Sequence, residues 1–445
     1  MVPDLIPNDN DKTVQVLLKV EEGEKYRVGR IEVLGNTKTR DKVIRREIRF
    51  AEGETYDSAK LKRSYERINN LNFFESVDMT PKPKYEDKTV DIDVKVKERP
   101  TGFFSIGGGY SSIDKFIVTA DITQGNLGGR GQYIKLKGEL SGRSSLYELS
   151  YRDPWFMDKP ISFSTGIYKT GRDYIEYSKK ALGFYLGFGK NLSEYWRGDI
   201  TYNFERATIN NVSESVAECQ KKCDPLDTDC LNACVAKGEP PPIIKDQEGT
   251  EITSSISPSI VRDTRDNYLD TTRGSRNSLS LTFAGLGGSN AFIKSLVDSG
   301  WYFPWGDTTF MFRGRFGYAQ GIFGKELPLY ERFYVGGLYT VRGLGFGEAG
   351  PQDSGDPIGG TEELIFNTEF IFPIFPEAKF KGLVFFDAGN SAESFSELTK
   401  LRYTSGLGIR WISPVGPVRI EWGYNIDKKP DESSSKFEFG FGTFF

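Results

Sequence analysis

The chain of 445 residues contains no histidine. That absence removes Ser-His-Asp and Cys-His catalysis, histidine metal sites and imidazole proton shuttles together, and it points away from an enzyme. Cysteine is scarce and confined: all 4 cysteines fall in CQKKCDPLDTDCLNAC, residues 219–234. Positive charge is in no excess either. With 58 Lys and Arg against 62 Asp and Glu, the net charge is -4, so the overall field offers nothing to nucleic acid. No apolar run reaches the roughly 18 residues of a membrane-spanning helix. A spanning barrel is not excluded by this, because its strands need only about 10 residues with every second one apolar.

What the chain has instead is 33 Phe, 22 Tyr and 49 Gly, unevenly placed. Residues 26–99 read as a small β-α-α-β-β domain. YRVGRIEVLGN is a strand ending in a Gly-Asn turn, and Thr39 is expected to cap a helix with Val43, Ile44 and Ile48 on its apolar face. Asp57 is expected to cap a second helix whose apolar face is Leu61, Tyr65, Ile68 and Leu71. In TVDIDVKVKER, Val90, Ile92, Val94 and Val96 alternate with charge at the period of a half-buried strand. Ahead of this domain, VPDLIPNDNDK shows no signal-peptide pattern. TVQVLLKVEEGEKY (13–26) is expected to be the last strand of a preceding module, of which 1–25 would be a remnant.

From residue 100 to 445 aromatic alternation takes over. In FMFRGRFGY, Phe310, Phe312, Phe316 and Tyr318 share one face while Met311, Arg313 and Arg315 share the other. Arginines would be costly in a sandwich core, so a polar lumen fits better. SLSLTFAG repeats the design, with Leu279, Leu281 and Phe283 against serine and threonine. About sixteen such segments are expected, giving a transmembrane β-barrel of antiparallel strands behind an N-terminal α+β domain. Short connections such as GNLGGRG, DPWFMDKP, FPWGD and SPVG alternate with longer ones, and the two longest, 211–250 and 321–360, fall on one side.

These features carry a resemblance. A small domain at 26–99, YRDPWF at 151–156, VRG at 341–343, FFDAGN at 385–390 and a terminal aromatic make the chain similar to the BamA family of outer-membrane β-barrel assembly proteins. That family lies in a superfamily that also holds two-partner secretion transporters. The resemblance implies that 26–99 is a POTRA domain in the periplasm, that further POTRA modules lie upstream, and that the barrel sits in the bacterial outer membrane. It implies nascent outer-membrane proteins as clients, outer-membrane lipids and accessory lipoproteins as partners, and no chemical cofactor, metal or nucleic acid. A two-partner-type secretion pore is the alternative function. The family usually has Phe after VRG; this chain has Leu344.

A barrel has no free edge, yet a catalyst of barrel folding needs one to offer as a template. The first strand, TGFFSIGGGYSS, is weakened by Gly107, Gly108 and Gly109. The last, KFEFGFGTFF, is interrupted by Gly440 and Gly442, with Phe437, Phe439, Phe441 and Phe445 toward lipid. A lateral gate is expected between them; the alternative is that these glycines only permit curvature. Disulfides Cys219–Cys234 and Cys223–Cys230 are expected to staple a helical hairpin in the first long loop, since C-x3-C spacing suits zinc poorly.

The loop YTVRGLGFGEAGP (339–351) puts one cation on glycine-rich backbone with apolar Val341, Leu344 and Phe346. It is expected to fold back into the lumen, where Arg342 needs a carboxylate. Alternation turns Asp387 in KGLVFFDAGN and Glu421 in GPVRIEWGY inward. The resemblance favours Asp387 as the direct partner, with Glu421 nearby. The alternative is a solvated arginine at an anionic surface.

Overall fold

The structure is a computed structural model that describes residues 3–8, 13–18, 24–111, 114–174, 177–210, 212, 223, 230, 242–267, 270–353, 355–413, 416–430 and 432–441. The chain divides into two compact units, residues 1–102 with 125–132, and residues 103–124 with 133–445.

In the first unit, Pro3–Asn8 and Thr13–Leu18 pair as an antiparallel hairpin, so the strand expected over 13–26 is shorter and has a partner of its own. A three-stranded sheet follows, with Thr89–Glu98 central, parallel to Arg27–Leu34 and antiparallel to Phe74–Lys84. Val90, Ile92, Val94 and Val96 are all buried, as period-two alternation requires of a sheet with one covered face. Helices Asp41–Arg45 and Ser58–Asn70 contribute Val43, Ile44 and Ile68 to the core.

Two local expectations are corrected here. Asp57 caps the second helix, accepting from the backbone N of Ala59 at 2.8 Å, but Thr39 caps nothing. The N-cap of the first helix is Arg40 and makes no side-chain cap bond. Thr39 is drawn elsewhere: its N–H donates to Glu98 at 2.5 Å, and its hydroxyl accepts from the Asn126 amide at 2.8 Å. On the second helix Tyr65 is 41% exposed, whereas Ser64 is buried. Ser64 meets its polar needs by donating to the Lys60 carbonyl and accepting from the Arg49 N–H.

The second unit is built on a closed antiparallel barrel of sixteen strands, beginning with Gly102–Ser111 and ending with Ser435–Phe441. Strand Thr308–Gly321 shows why this sequence makes a barrel. Phe312 is 45% exposed on the outer face, while Arg313 and Arg315 turn inward and share Asp298 of the neighbouring Phe292–Trp305, at 2.6 and 2.9 Å. Outward apolar and inward paired charge is the pattern of a strand between lipid and a polar lumen. The two long connections, between Asn210 and Gly249 and between Gly321 and Glu362, open at the same end. Short turns such as 306–307 and 376–379 close the other end.

Glu98 gives the first unit a pH dependence. Its carboxylate takes hydrogen bonds from the Thr37 hydroxyl and the Lys38 and Thr39 N–H groups. Burial opposes the charge, but the bonds from Thr39, Thr37 and Lys38 outweigh it and hold the group at about 2, below the ordinary 4.5. The depressed value means that this stabilisation is present above pH 4.5 and fades as the pH falls toward 2. Carboxyl-detected NMR should find Glu98 titrating there, and Glu98→Gln should weaken protection of the Lys38 and Thr39 amides at neutral pH by about 1 kcal/mol.

Candidate functional site

The loop 322–361 does not stay in solvent. Val335, Val341, Leu344 and Ala349 form a buried cluster with Ile365 of strand Glu362–Phe375. Leu344, where the resemblance expects Phe, is itself fully buried, and Phe346 stacks on Tyr334 with ring centroids 5.0 Å apart. The tip is tied by its own turns, with Gly337 N–H donating to the Val341 carbonyl and Gly336 N–H to the Thr340 hydroxyl. Three barrel side chains then hold successive carbonyls: Arg419 that of Leu338 (3.5 Å), Arg313 that of Tyr339 (3.2 Å) and Asn367 that of Thr340 (2.7 Å).

This anchoring presents Arg342, only 3% exposed, to the inner wall. Its Nε and Nη2 each donate to one oxygen of Asp387 at 2.7 Å, and its own backbone N–H adds a third bond to Asp387 at 3.1 Å. The planar fork suits this two-point grip, which lysine could not reproduce. Nη1 reaches Glu421 at 2.9 Å and Glu369 at 2.6 Å. The guanidinium also lies 3.7 Å from the ring centre of Phe385, a favourable cation–π placement.

Asp387 and Glu421, turned inward by alternation and favoured as partners by the resemblance, both touch Arg342 in the structure. Glu369 and Arg410 were missed. Arg410 of strand Arg402–Ser413 binds Glu369 at 2.7 Å and Glu421 at 2.9 Å, and Arg419 binds Glu421 at 2.8 Å. Three arginines therefore face three carboxylates, and each buried charge is paired, which is the condition for tolerating it. Alternation does turn both inward, since Glu369 falls among outward Phe366, Phe370 and Phe372 and Arg410 between outward Ile409 and Trp411, but it does not bring them level with Arg342.

Gly343 sets how closely the loop approaches. Its φ is +89°, in the left-handed region, and a Cβ on it would lie 2.8 Å from the carbonyl carbon of Gly423 in strand Gly416–Asn425. A Cβ on Gly423 would in turn sit 2.6 Å from the Gly343 Cα. Backbone meets backbone, one strand away from the barrel's closing seam. Further ties reach the last strand itself. Lys436 bonds Glu348 of the loop at 2.5 Å, and Glu348 also accepts from Gly345 N–H at 2.6 Å.

At the seam, Gly440 lies opposite Ser111 and Phe441 opposite Tyr110. Tyr110 packs on Phe439 with centroids 5.6 Å apart, and Phe437 is 75% exposed on the lipid face. Gly107, Gly108 and Gly109 lie in the first strand; a Cβ on Gly107 would press on the Thr119 hydroxyl at 2.7 Å, whereas one on Gly108 would meet only a carbonyl at 3.8 Å. Gly442 and Phe445 lie outside the described residues. In the other long loop Cys223 and Cys230 form a disulfide, and Cys219 and Cys234 lie outside the described residues. Among the described residues no cluster of His, Cys, Asp and Glu is arranged to hold a metal.

Comparison with known proteins follows the same division. A model of the Omp85 superfamily domain matches residues 126–445, and a POTRA model, described as a surface antigen variable number repeat, matches 26–99. The outer membrane protein assembly factor BamA of Nitratidesulfovibrio vulgaris is 31% identical, over 98% of this chain and 53% of its own length. BamA of Neisseria meningitidis serogroup B is 29% identical, over 99% of this chain and 59% of its own. The chain thus spans little more than half the length of these relatives. Among solved structures, BamA of Haemophilus ducreyi lacking POTRA domains 1–3 superposes with a TM-score of 0.77 at 23% identity, covering 99% of this chain and 88% of that one.

Removing the Arg342 guanidinium leaves three buried carboxylates to two arginines. Arg342→Ala should therefore destabilise the seated loop by about 3–5 kcal/mol, read as new protease cleavage within 336–348 of the folded barrel; Arg342→Lys should fall between. Gly423→Ala changes no charge yet should loosen the same segment, because its methyl group occupies the space of Gly343.

Proposed function

The chain belongs to the Omp85 superfamily, and from that membership we propose that it works as a BamA-type assembly factor, folding β-barrel proteins and inserting them through a lateral gate between its first and last strands. It is an outer-membrane protein with its POTRA domain on the periplasmic side, and in this reading the two long connections start from the cell-surface rim, the second of them folding back into the lumen. Its clients are nascent outer-membrane proteins, its surroundings are outer-membrane lipids, and POTRA domains are where accessory lipoproteins dock. The work is templating and local weakening of the bilayer, with no covalent step, so the chain is not an enzyme and uses no cofactor. The loop 211–250 serves as a disulfide-stapled shield at the surface.

The observation that carries the gate is the glycine content of the two strands that close the barrel: Gly107, Gly108 and Gly109 in the first and Gly440 in the last. Glycines in both partners weaken cross-strand packing at this seam, and an opened edge offers unpaired N–H and C=O groups to a client strand.

The test places cysteines at Ser111 and Gly440, which face each other across the seam. In liposomes, the oxidised double variant should lose most of its acceleration of client-barrel folding and recover it on reduction, with wild type indifferent to the same reductant. Undiminished insertion with the crosslink complete would remove the gate. Export or conductance without accelerated folding would favour the secretion pore.

A further inference from the structure

Below the Arg342 network the lumen holds a cavity of ≈ 710 Å³, within the size range of small-molecule sites. Leu338, Tyr339 and Thr340 of the seated loop form one wall. Turns 264–273 and 376–379 supply Arg265, Asp270 and Lys379 at the other end, so the cavity lies toward the periplasmic mouth of the barrel.

Its charges do not cancel. In the cluster around Arg342 three arginines meet three carboxylates, with Glu438 buried within electrostatic reach of Arg342 and Arg419, so this cluster contributes no surplus of positive charge. Nearer the mouth, Arg265 is matched by Asp263 and Lys381 by Asp270. Arg313 and Arg315 share the single carboxylate of Asp298. Arg276 and Lys379 also line the cavity and make no ion pair or side-chain hydrogen bond with any described residue. Donors are left over as well. Arg313 spends its nitrogens on Asp298 and the Tyr339 carbonyl, but Arg315 uses only Nε, so both its Nη groups remain unpaired among the described residues. Glu363 is buried within electrostatic reach of Arg315, yet it lines none of the cavity; counted against Arg315, it still leaves Arg276 and Lys379 unmatched.

We propose that this cavity binds a phosphate ester. A lone carboxylate carries one charge and would leave the excess largely uncompensated. A phosphate carries up to two charges and three acceptor oxygens, enough to engage a guanidinium fork and an ammonium together. The confined space strengthens that attraction relative to open solvent. Tyr302, Met311 and Ile371 on the wall provide apolar surface for the organic part of the ester. The phosphate can come from a soluble compound or from a phospholipid headgroup.

The full chain in an uncharged maltoside detergent would be titrated with inorganic pyrophosphate and, separately, with short-chain phosphatidylglycerol, by calorimetry. Saturable binding of at least one probe is expected, weakened about tenfold or more in Arg276→Gln/Lys379→Gln. Both residues are exposed to the lumen, so the variant should keep the wild-type circular dichroism and heat-modifiable gel mobility. Pyrophosphate binding that phosphatidylglycerol does not displace identifies a soluble source, and tighter binding of the lipid identifies a headgroup. No saturable binding of either probe, or equal binding by a folded double variant, would overturn the proposal.

Discussion

The seating of one guanidinium organises the lumen of this barrel. A buried arginine is tolerated only where its donors and charge are met, and Arg342 is met by carboxylates from three strands, Asp387, Glu369 and Glu421. This placement of the loop satisfies all three at once. The interaction therefore fixes where the loop sits more than it adds to stability, since well-packed apolar residues often match a buried ion cluster in energy.

Position matters because of what lies on either side. Toward the seam, the same loop turn lays Gly343 against Gly423, and Glu348 ties Lys436 of the last strand. Toward the periplasm, the loop roofs a cavity with surplus positive charge. A shift of the loop would be felt in both directions, because packed backbone and paired charge move between discrete arrangements rather than stretching continuously. In the proposed gate, the loop lies close enough to the closing strands for its state to bias whether they part.

Much of this was legible in the sequence, for a definite reason. Alternation assigns each residue of a strand to lipid or lumen, and sixteen strands with Asp387 and Glu421 inward follow from it. Depth along the barrel is another matter. It depends on the stagger of each strand against its neighbour, which no local pattern records, so nothing set Glu369 or Arg410 level with Arg342. The approach of Gly343 to Gly423 was hidden likewise, because a glycine's freedom can serve a turn, a bulge or a close contact alike. Thr39 failed as a cap because Glu98 and Asn126, distant in sequence, compete for its polar atoms. Local propensity yields where tertiary partners are stronger.

The central claim is that Arg342 and Asp387 act as one unit that positions the loop for assembly. A double-mutant cycle on the rate of client-barrel insertion into liposomes tests it most directly, comparing wild type, Arg342→Ala, Asp387→Ala and the double variant. The account predicts strong non-additivity, with the double variant no slower than the worse single one, because either change alone unseats the loop. Independent, additive losses, or wild-type rates throughout, would contradict it.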